Sequence, residues 1–415
     1  MSLRLDHVVA WHVYPLGSTG APIRGEALDI PVTHRLPKLC DWLDYVVELG
    51  CSVVQLGPIF ESTSHGYDTL DLFRIDRRLG DDADFEALVA ACHDRGLRLF
   101  LDGVFNHVGE HHRLLRRALD EGPDGELAGM FRIDWAAQPP RAEGWEGHGQ
   151  LAQLNHDDPR VAEMIIEAMC HWLGKGADGW RLDAAYSVPS EFWQSVTSRV
   201  RERFEYATFV GEVIHGDYRG FVADTGVDSL TQYELWKAIW SSLTDANFFE
   251  LAHALERHDD FCRAFTPWTF IGNHDVTRIA TAVGSDQAVL AAAALFTLPG
   301  APAVYYGDEQ GFTGEKQEHA AGDDAVRPAL PATPDELAGL GAWMYAEYQR
   351  LIGLRRRHPW LQHARVIVED TANEHITWLC QGNPGEAIHV SLSVAGAPHV
   401  HIRSADEVLY EFVAR

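Results

Sequence analysis

Basic residues are scarce in this chain: 34 Lys and Arg stand against 61 Asp and Glu in 415 residues, a formal net charge of −27. No basic stripe exists to neutralise phosphates, which argues against nucleic acid as a partner. The same balance disfavours docking on an anionic membrane. No apolar run reaches the ~18 residues of a membrane span. The amino terminus lacks a secretory pattern, because Arg4 and Asp6 interrupt it. Cysteine is sparse as well. The six (Cys40, Cys51, Cys92, Cys170, Cys262, Cys380) show no C-x-x-C spacing and read as reduced, packed thiols rather than a zinc site or disulfide framework. A cytoplasmic location is the expectation. Internal repeats and low-complexity tracts are absent, and no G-x-G-x-x-G follows an early strand, which weakens the case for an open nucleotide-binding sheet. Aromatic residues, by contrast, are plentiful: 13 Trp, 12 Tyr and 18 Phe rule out wholesale disorder.

Short apolar runs alternate with helical segments to about residue 345. One unit shows the logic. Asp82 or Asp84 can cap a helix whose apolar positions Phe85, Leu88, Val89 and Cys92 fall at i, i+3, i+4, i+7, and Gly96 ends it. A strand over 97–102 follows and finishes on Asp102. Asp158 and Pro159 open a second such helix, Gly174 closes it, and a strand runs to Asp183. Further strands are expected at 8–14, 52–57, 207–212, 268–272 and 302–307, with a weaker one near 230–233. Eight such strands alternating with helices imply an α/β fold of parallel strands closed into a (β/α)8 TIM barrel. Between Asn106 and Asp157 the rhythm stops, which predicts a small inserted lid subdomain over 107–157 after strand 3. After a helix expected over 335–358 come short alternating runs, predicting a C-terminal antiparallel β domain over 359–415. The catalytic barrel is thereby assigned to 1–106 and 158–358.

Chemistry in such a barrel sits at the carboxyl ends of the strands. Asp102, Asp183, Glu212 and Asp275 all end apolar runs, beside Asn106-His107, Arg181 and Asn273-His274. A single acid there is an ordinary helix cap; four with these neighbours are hard to explain by capping, and Glu is a poor N-cap. A pair of carboxylates roughly 5 to 5.5 Å apart performs retaining glycoside hydrolysis, one as nucleophile and one as acid/base. Arg181 lies two residues from Asp183 on a strand, hence on the same face, and would keep Asp183 ionised as the nucleophile. Glu212 has no adjacent basic residue and follows Phe209-Val210, so a raised pKa would suit it to the acid/base role. Asp275 is left to stabilise positive charge or hold sugar hydroxyls. A metal reading of the same acids finds little support, since Trp11-His12-Val13 offers one His where barrel metallohydrolases carry His-x-His.

Four segments in order, D-G-V-F-N-H (102–107), G-W-R-L-D-A-A (179–185), G-E-V (211–213) and F-I-G-N-H-D (270–275), resemble the signature segments of the α-amylase family of glycoside hydrolases. H-G-Y-D-T-L-D (65–71), Q-L-N (153–155) and G-A-P-A-V-Y-Y-G-D-E (300–309) resemble supporting segments, so the likeness covers nearly the whole chain. The resemblance implies Asp183 as nucleophile, Glu212 as acid/base and Asp275 as transition-state stabiliser. It also puts Arg181, His107, His274 and Asp102 around the −1 sugar, with Tyr67 as its stacking platform. Ala184, after the nucleophile, would touch the +1 sugar, where a small residue goes with α-1,4 acceptance.

G-E-V-I-H (211–215) resembles the G-E-x-W-H of cyclomaltodextrinases and neopullulanases, which suggests His215 as a further subsite residue. The N-terminal β-sandwich usual in those enzymes is expected to be missing here. Tyr186 and Ser187 stand where many members carry Lys-His. Trp135, Trp145 and His148 are either core or cleft lining. No cofactor is required, and calcium at Asn106 is an option without an oxygen-rich loop to support it. The resulting expectation is a retaining hydrolase of α-1,4 bonds in small or cyclic α-glucooligosaccharides, with a homodimer open. The alternatives are a transferase or isomerase, an α-1,6-specific glucosidase, and a non-catalytic binding subunit. Retention of all three acids speaks against the last.

Overall fold

The computed structural model describes residues 5–24, 30–319, 321–405 and 407–414. Eight parallel strands form one sheet: β1 (Ala10–Val13), β2 (Val53–Leu56), β3 (Arg98–Gly103), β4 (Gly179–Leu182), β5 (Thr208–Gly211), β6 (Ser229–Leu230), β7 (Trp268–Phe270) and β8 (Ala301–Tyr305). Their order is β6-β5-β4-β3-β2-β1-β8-β7. A parallel bridge from Thr231 to Trp268 joins the two ends and closes the barrel. The strands begin and end within a few residues of the positions predicted from the apolar runs.

Alternation along the strands sorts side chains into two cores. Trp11, Val54, Leu99, Leu101, Trp180 and Phe209 belong to the large cluster between strands and helices. Ala10, Val53, Phe100, Val210, Trp268, Phe270 and Ala303 fill the barrel interior. Gly179 stands in that interior because a Cβ there would come within 2.8 Å of the Thr208 carbonyl and 2.9 Å of the Phe100 ring. Two residues further along β1 to β4 the inward position turns polar: His12, Gln55, Asp102 and Arg181 are all buried. The interior is thus apolar below and charged at the carboxyl end.

Two local expectations are corrected. The helix Asp82–Asp94 is capped by Asp81, not by Asp82 or Asp84: extended Asp81 accepts from the amides of Ala83 and Asp84, and the Asp84 side chain returns to the Asp81 amide. The last barrel helix covers Ala342–Arg357, and the expected start at 335 is taken by 3₁₀ turns Pro334–Glu336 and Gly339–Gly341, where Pro334, Gly339 and Gly341 delay the helix. The segment after β3 does contain regular structure, a helix Arg113–Glu121 and a three-stranded sheet of His107–Gly109, His148–Gln153 and Gly144–Trp145. Strands of two to six glycine-containing residues are too short to show a period.

Five antiparallel strands follow the barrel: β9 (Arg365–Thr371), β10 (His375–Gln381), β11 (Ala387–Ser393), β12 (His399–Arg403) and β13 (Val408–Val413), each paired with the next. Asp259 on the helix Phe249–Cys262 pins this sheet, accepting from Arg365 Nε at 2.9 Å and the Val366 amide at 2.8 Å. Among the described residues no helix is long and apolar enough to cross a membrane.

Candidate active site

Strand register brings the first three carboxylates together. Arg181 on β4 pairs with Asp102 on β3. Leu182 pairs with Gly211, so the next residues, Asp183 and Glu212, emerge side by side. The Arg181 guanidinium then spans all three acids. Its Nη1 reaches Asp102 at 2.7 and 2.8 Å and Asp183 Oδ1 at 3.0 Å, while Nη2 lies 2.6 Å from Glu212 Oε1.

Glu212 is held at both oxygens. Its Oε2 accepts from the Ala184 amide at 2.9 Å, and Oε1 accepts from Tyr233 Oη at 3.0 Å. Tyr233 Oη in turn accepts from Asn273 Nδ2 at 2.9 Å, and Asn273 Oδ1 accepts from the Asp275 amide at 2.8 Å. From the other side, Tyr67 Oη donates to Asp102 Oδ2 at 3.1 Å and contacts His274 Nε2, which lies 2.8 Å from Asp275 Oδ2. A closed ring results: Arg181, Asp102, Tyr67, His274, Asp275, Asn273, Tyr233, Glu212 and back to Arg181. It joins the ends of β3, β4 and β5 to the segment after β7. Asp183 hangs from this ring by Oδ1 alone.

Electrostatics corrects the sequence argument for dividing the roles. One guanidinium shared by three buried carboxylates leaves a net negative cluster. Burial raises Asp183 well above the usual aspartate range; Arg181 pulls it back, and Glu212 and Asp102 push it up again. Asp102 is raised as well, burial being the main cause. Arg181 therefore does not suffice to hold Asp183 at an ordinary aspartate pKa, and Glu212 has a basic neighbour after all, one that register and not sequence adjacency supplies. Asp275 behaves oppositely. Burial would raise it, but the charge and hydrogen bond of His274, with Arg327, hold it well below the aspartate range. His12, edge-on to His274 at 5.2 Å, is kept neutral mainly by burial, with His274 and Arg181 adding to the effect.

Asp102, Arg181, Asp183, Glu212, His274, Asp275 and Tyr67 thus converge. Tyr67 is half-buried, its ring stacked on His274 at 5.2 Å and 8°. His107 is buried beside them: Nε2 lies 3.1 Å from the Tyr67 carbonyl, Nδ1 lies 3.1 Å from Asn106 Nδ2, and Trp145 stacks on its face at 4.9 Å. Burial lowers its pKa to about 4. Ala184 is 1 % exposed with φ +45°, and its amide donates to Glu212. His215 is exposed at the rim, 6.1 Å from the Tyr186 ring. Around buried Asn106 no group of three His, Cys, Asp or Glu ligand atoms gathers among the described residues; one such group, His34, Asp81 and Asp84, sits at the capping box instead.

Sequence reasoning missed Tyr233, Asn273's bridging role and Arg327. Arg327 donates to Asp275 Oδ1 at 2.9 Å and to the His274 carbonyl at 2.9 Å, with its guanidinium 4.6 Å over Tyr14. It lies 52 residues beyond Asp275 in an irregular loop with no motif of its own. Asn273 was visible beside His274 but gave no sign of its partner. A cavity of about 1020 Å³ opens elsewhere, within the insertion, lined by Trp135, Glu110, Arg116 and Glu143 and by none of the four acids.

The model of the α-amylase catalytic domain matches residues 36–332, which contain every member of this ring. The chain belongs to the α-amylase family. Among curated relatives, neopullulanase 2 of Thermoactinomyces vulgaris is 32 % identical over 78 % of this chain and 56 % of its own length. A cyclomaltodextrinase of Geobacillus thermopakistaniensis is 28 % identical over 86 % and 62 %. The chain therefore spans 56 to 62 % of the length of these two curated relatives. Among solved structures, cyclic α-maltosyl-(1→6)-maltose hydrolase from Arthrobacter globiformis, in complex with that cyclic sugar, superposes with a TM-score of 0.81 at 26 % identity, covering 95 % of this α-amylase-family chain and 92 % of the other.

Proposed function

We propose that this chain is a retaining glycoside hydrolase that cleaves α-1,4 linkages in small or cyclic α-glucooligosaccharides through a covalent glycosyl-enzyme. The observation that carries the proposal is the closed ring of hydrogen bonds with Asp183 suspended from it. Asp183 gives one oxygen to Arg181, and its Oδ2 has no donor among the described residues, which suits it to attack an anomeric carbon. Glu212, tethered at both oxygens, is fixed in place for proton transfer to the leaving oxygen and later from water. Asp275, ionised between His274 and Arg327, supplies negative charge for an oxocarbenium-like transition state. Asp102, Arg181, His107 and His274 surround the −1 sugar with Tyr67 as platform, and Ala184 and His215 lie on the leaving-group side.

The substrate class is supported by the relatives, whose names refer to cyclic maltose-containing sugars. A cytoplasmic setting agrees with six cysteines that are all unpaired thiols. The test is a product screen on maltose, maltotriose, cyclodextrins, isomaltose, trehalose, sucrose and soluble starch. Glucose or maltose release from maltotriose or cyclodextrins, faster than any release from isomaltose or starch, is expected. A kcat/KM for isomaltose about tenfold above that for maltotriose overturns the linkage assignment. Transfer products outweighing hydrolysis on maltotriose would favour the transferase reading.

A further inference from the structure

The insertion ends in a tight hairpin whose chemistry departs from what its backbone prefers. Trp145 pairs with His148, leaving Glu146 and Gly147 as a two-residue loop. Both have positive φ, +47° and +82°, the pattern of a type I′ turn. Asn, Asp or Gly suit the first of these positions; a Glu there is unfavourable by conformation and points to a use for its side chain. That side chain accepts from Tyr186 Oη at 3.0 Å. Next to it, Trp145 Nε1 donates to Ser187 Oγ at 3.2 Å, and the Trp145 ring lies flat on His107. The hairpin tip therefore bridges the loop after β3, through His107, to the loop after β4, through Tyr186 and Ser187. These are adjacent strands, whose ends carry Asp102, Arg181 and Asp183.

Tyr186 also locates the latch relative to the bond being cleaved. Its amide meets the Glu212 carbonyl at 3.4 Å, and its ring neighbours His215. A general acid must lie beside the leaving group, so the Tyr186 to Glu146 contact stands on the leaving-group side. We propose that the Trp145-Glu146 hairpin tip, latched to Tyr186 and Ser187, closes the leaving-group end of the cleft and restricts the enzyme to short or compact α-glucan substrates. This rests on the hydrolase reading above and adds to it the element that sets substrate length.

The test uses two variants that spare the catalytic groups. Glu146→Asn retains a residue suited to the turn but cannot reproduce the carboxylate contact, and Tyr186→Phe keeps the ring but removes the donor. For each, kcat/KM is measured on maltotriose and on soluble starch, and amide hydrogen exchange is followed over residues 141–153. Faster exchange at the hairpin, together with a starch-to-maltotriose kcat/KM ratio raised about fivefold or more through KM on starch, is expected. Faster exchange with a ratio unchanged within about twofold overturns the length restriction. Unchanged exchange overturns the latch itself. Wild-type protein inactive on every α-1,4 substrate overturns the hydrolase reading instead, and the substrate restriction falls with it.

Discussion

Arg181 sets the character of the acids around it, because a single guanidinium serves Asp102, Asp183 and Glu212. Asp183→Asn keeps the shape but cannot form a glycosyl ester, so kcat is expected to fall by roughly three orders of magnitude or more in a folded protein. Glu212→Gln loses proton transfer, ~10²- to 10⁴-fold, and is expected to recover partly on aryl glycosides whose leaving groups need no proton; equal losses on natural and activated substrates would assign Glu212 a structural role. The raised Asp183 carboxyl has a consequence for pH. The nucleophile must be ionised to attack, so the acid limb of kcat/KM is expected above the ordinary aspartate range, and a limb at or below about 4 would contradict it. Asp102, Asp183, Glu212 and Asp275 were legible in the sequence because each ends an apolar run and belongs to a contiguous motif. Tyr233 and Arg327 were not, since a lone residue acquires its partner only through the closure of the barrel.

At the level of elements, the strands could be read from their apolar runs, and the parallel register then explains the site without further assumption. The caps and turns were less legible. Asp81 rather than its acidic neighbours caps its helix because of backbone geometry that three Asp residues in four positions do not distinguish. Ala184 is the sharper case. The resemblance gives Ala184 to the +1 sugar; the fold adds that it stands at φ +45° with its amide bonded to Glu212. A β-branched residue is strained in that region. Ala184→Val is therefore expected to lower Tm, and to lower kcat on maltotriose and isomaltose together by displacing the amide. A selective shift of the kcat/KM ratio toward isomaltose with unchanged Tm would show instead that the side chain meets the sugar.

Over the whole molecule, the segment after β8 buries a carboxyl that makes no ion pair among the described residues. Glu309 is fully buried, accepting from Tyr45 Oη at 2.8 Å and the Gly307 amide at 2.9 Å. Burial pushes its pKa up to about 7. The folded state then binds this proton more tightly than the unfolded chain, so the stabilisation is full below the ordinary glutamate pKa and is lost as pH rises through about 7. Glu309→Gln is expected to flatten the Tm against pH between about 4.5 and 7, a term on the order of 3 kcal/mol; an equally steep profile in the variant would place the titration elsewhere.

Fold class and candidate catalytic acids follow from local sequence, while the bridging contacts of the insertion are a property of the assembled chain. The central claim is that Asp183 and Glu212 act together through a glycosyl-enzyme in the ring that Arg181 closes. Proton NMR of the first anomer released from maltotriose tests it most directly. Two displacements at one carbon return the α configuration, and an initial α product is the expected result. An initial β product would mean a single displacement by water, with carboxyl groups standing roughly 6.5 to 9.5 Å apart, and would contradict Asp183 as nucleophile.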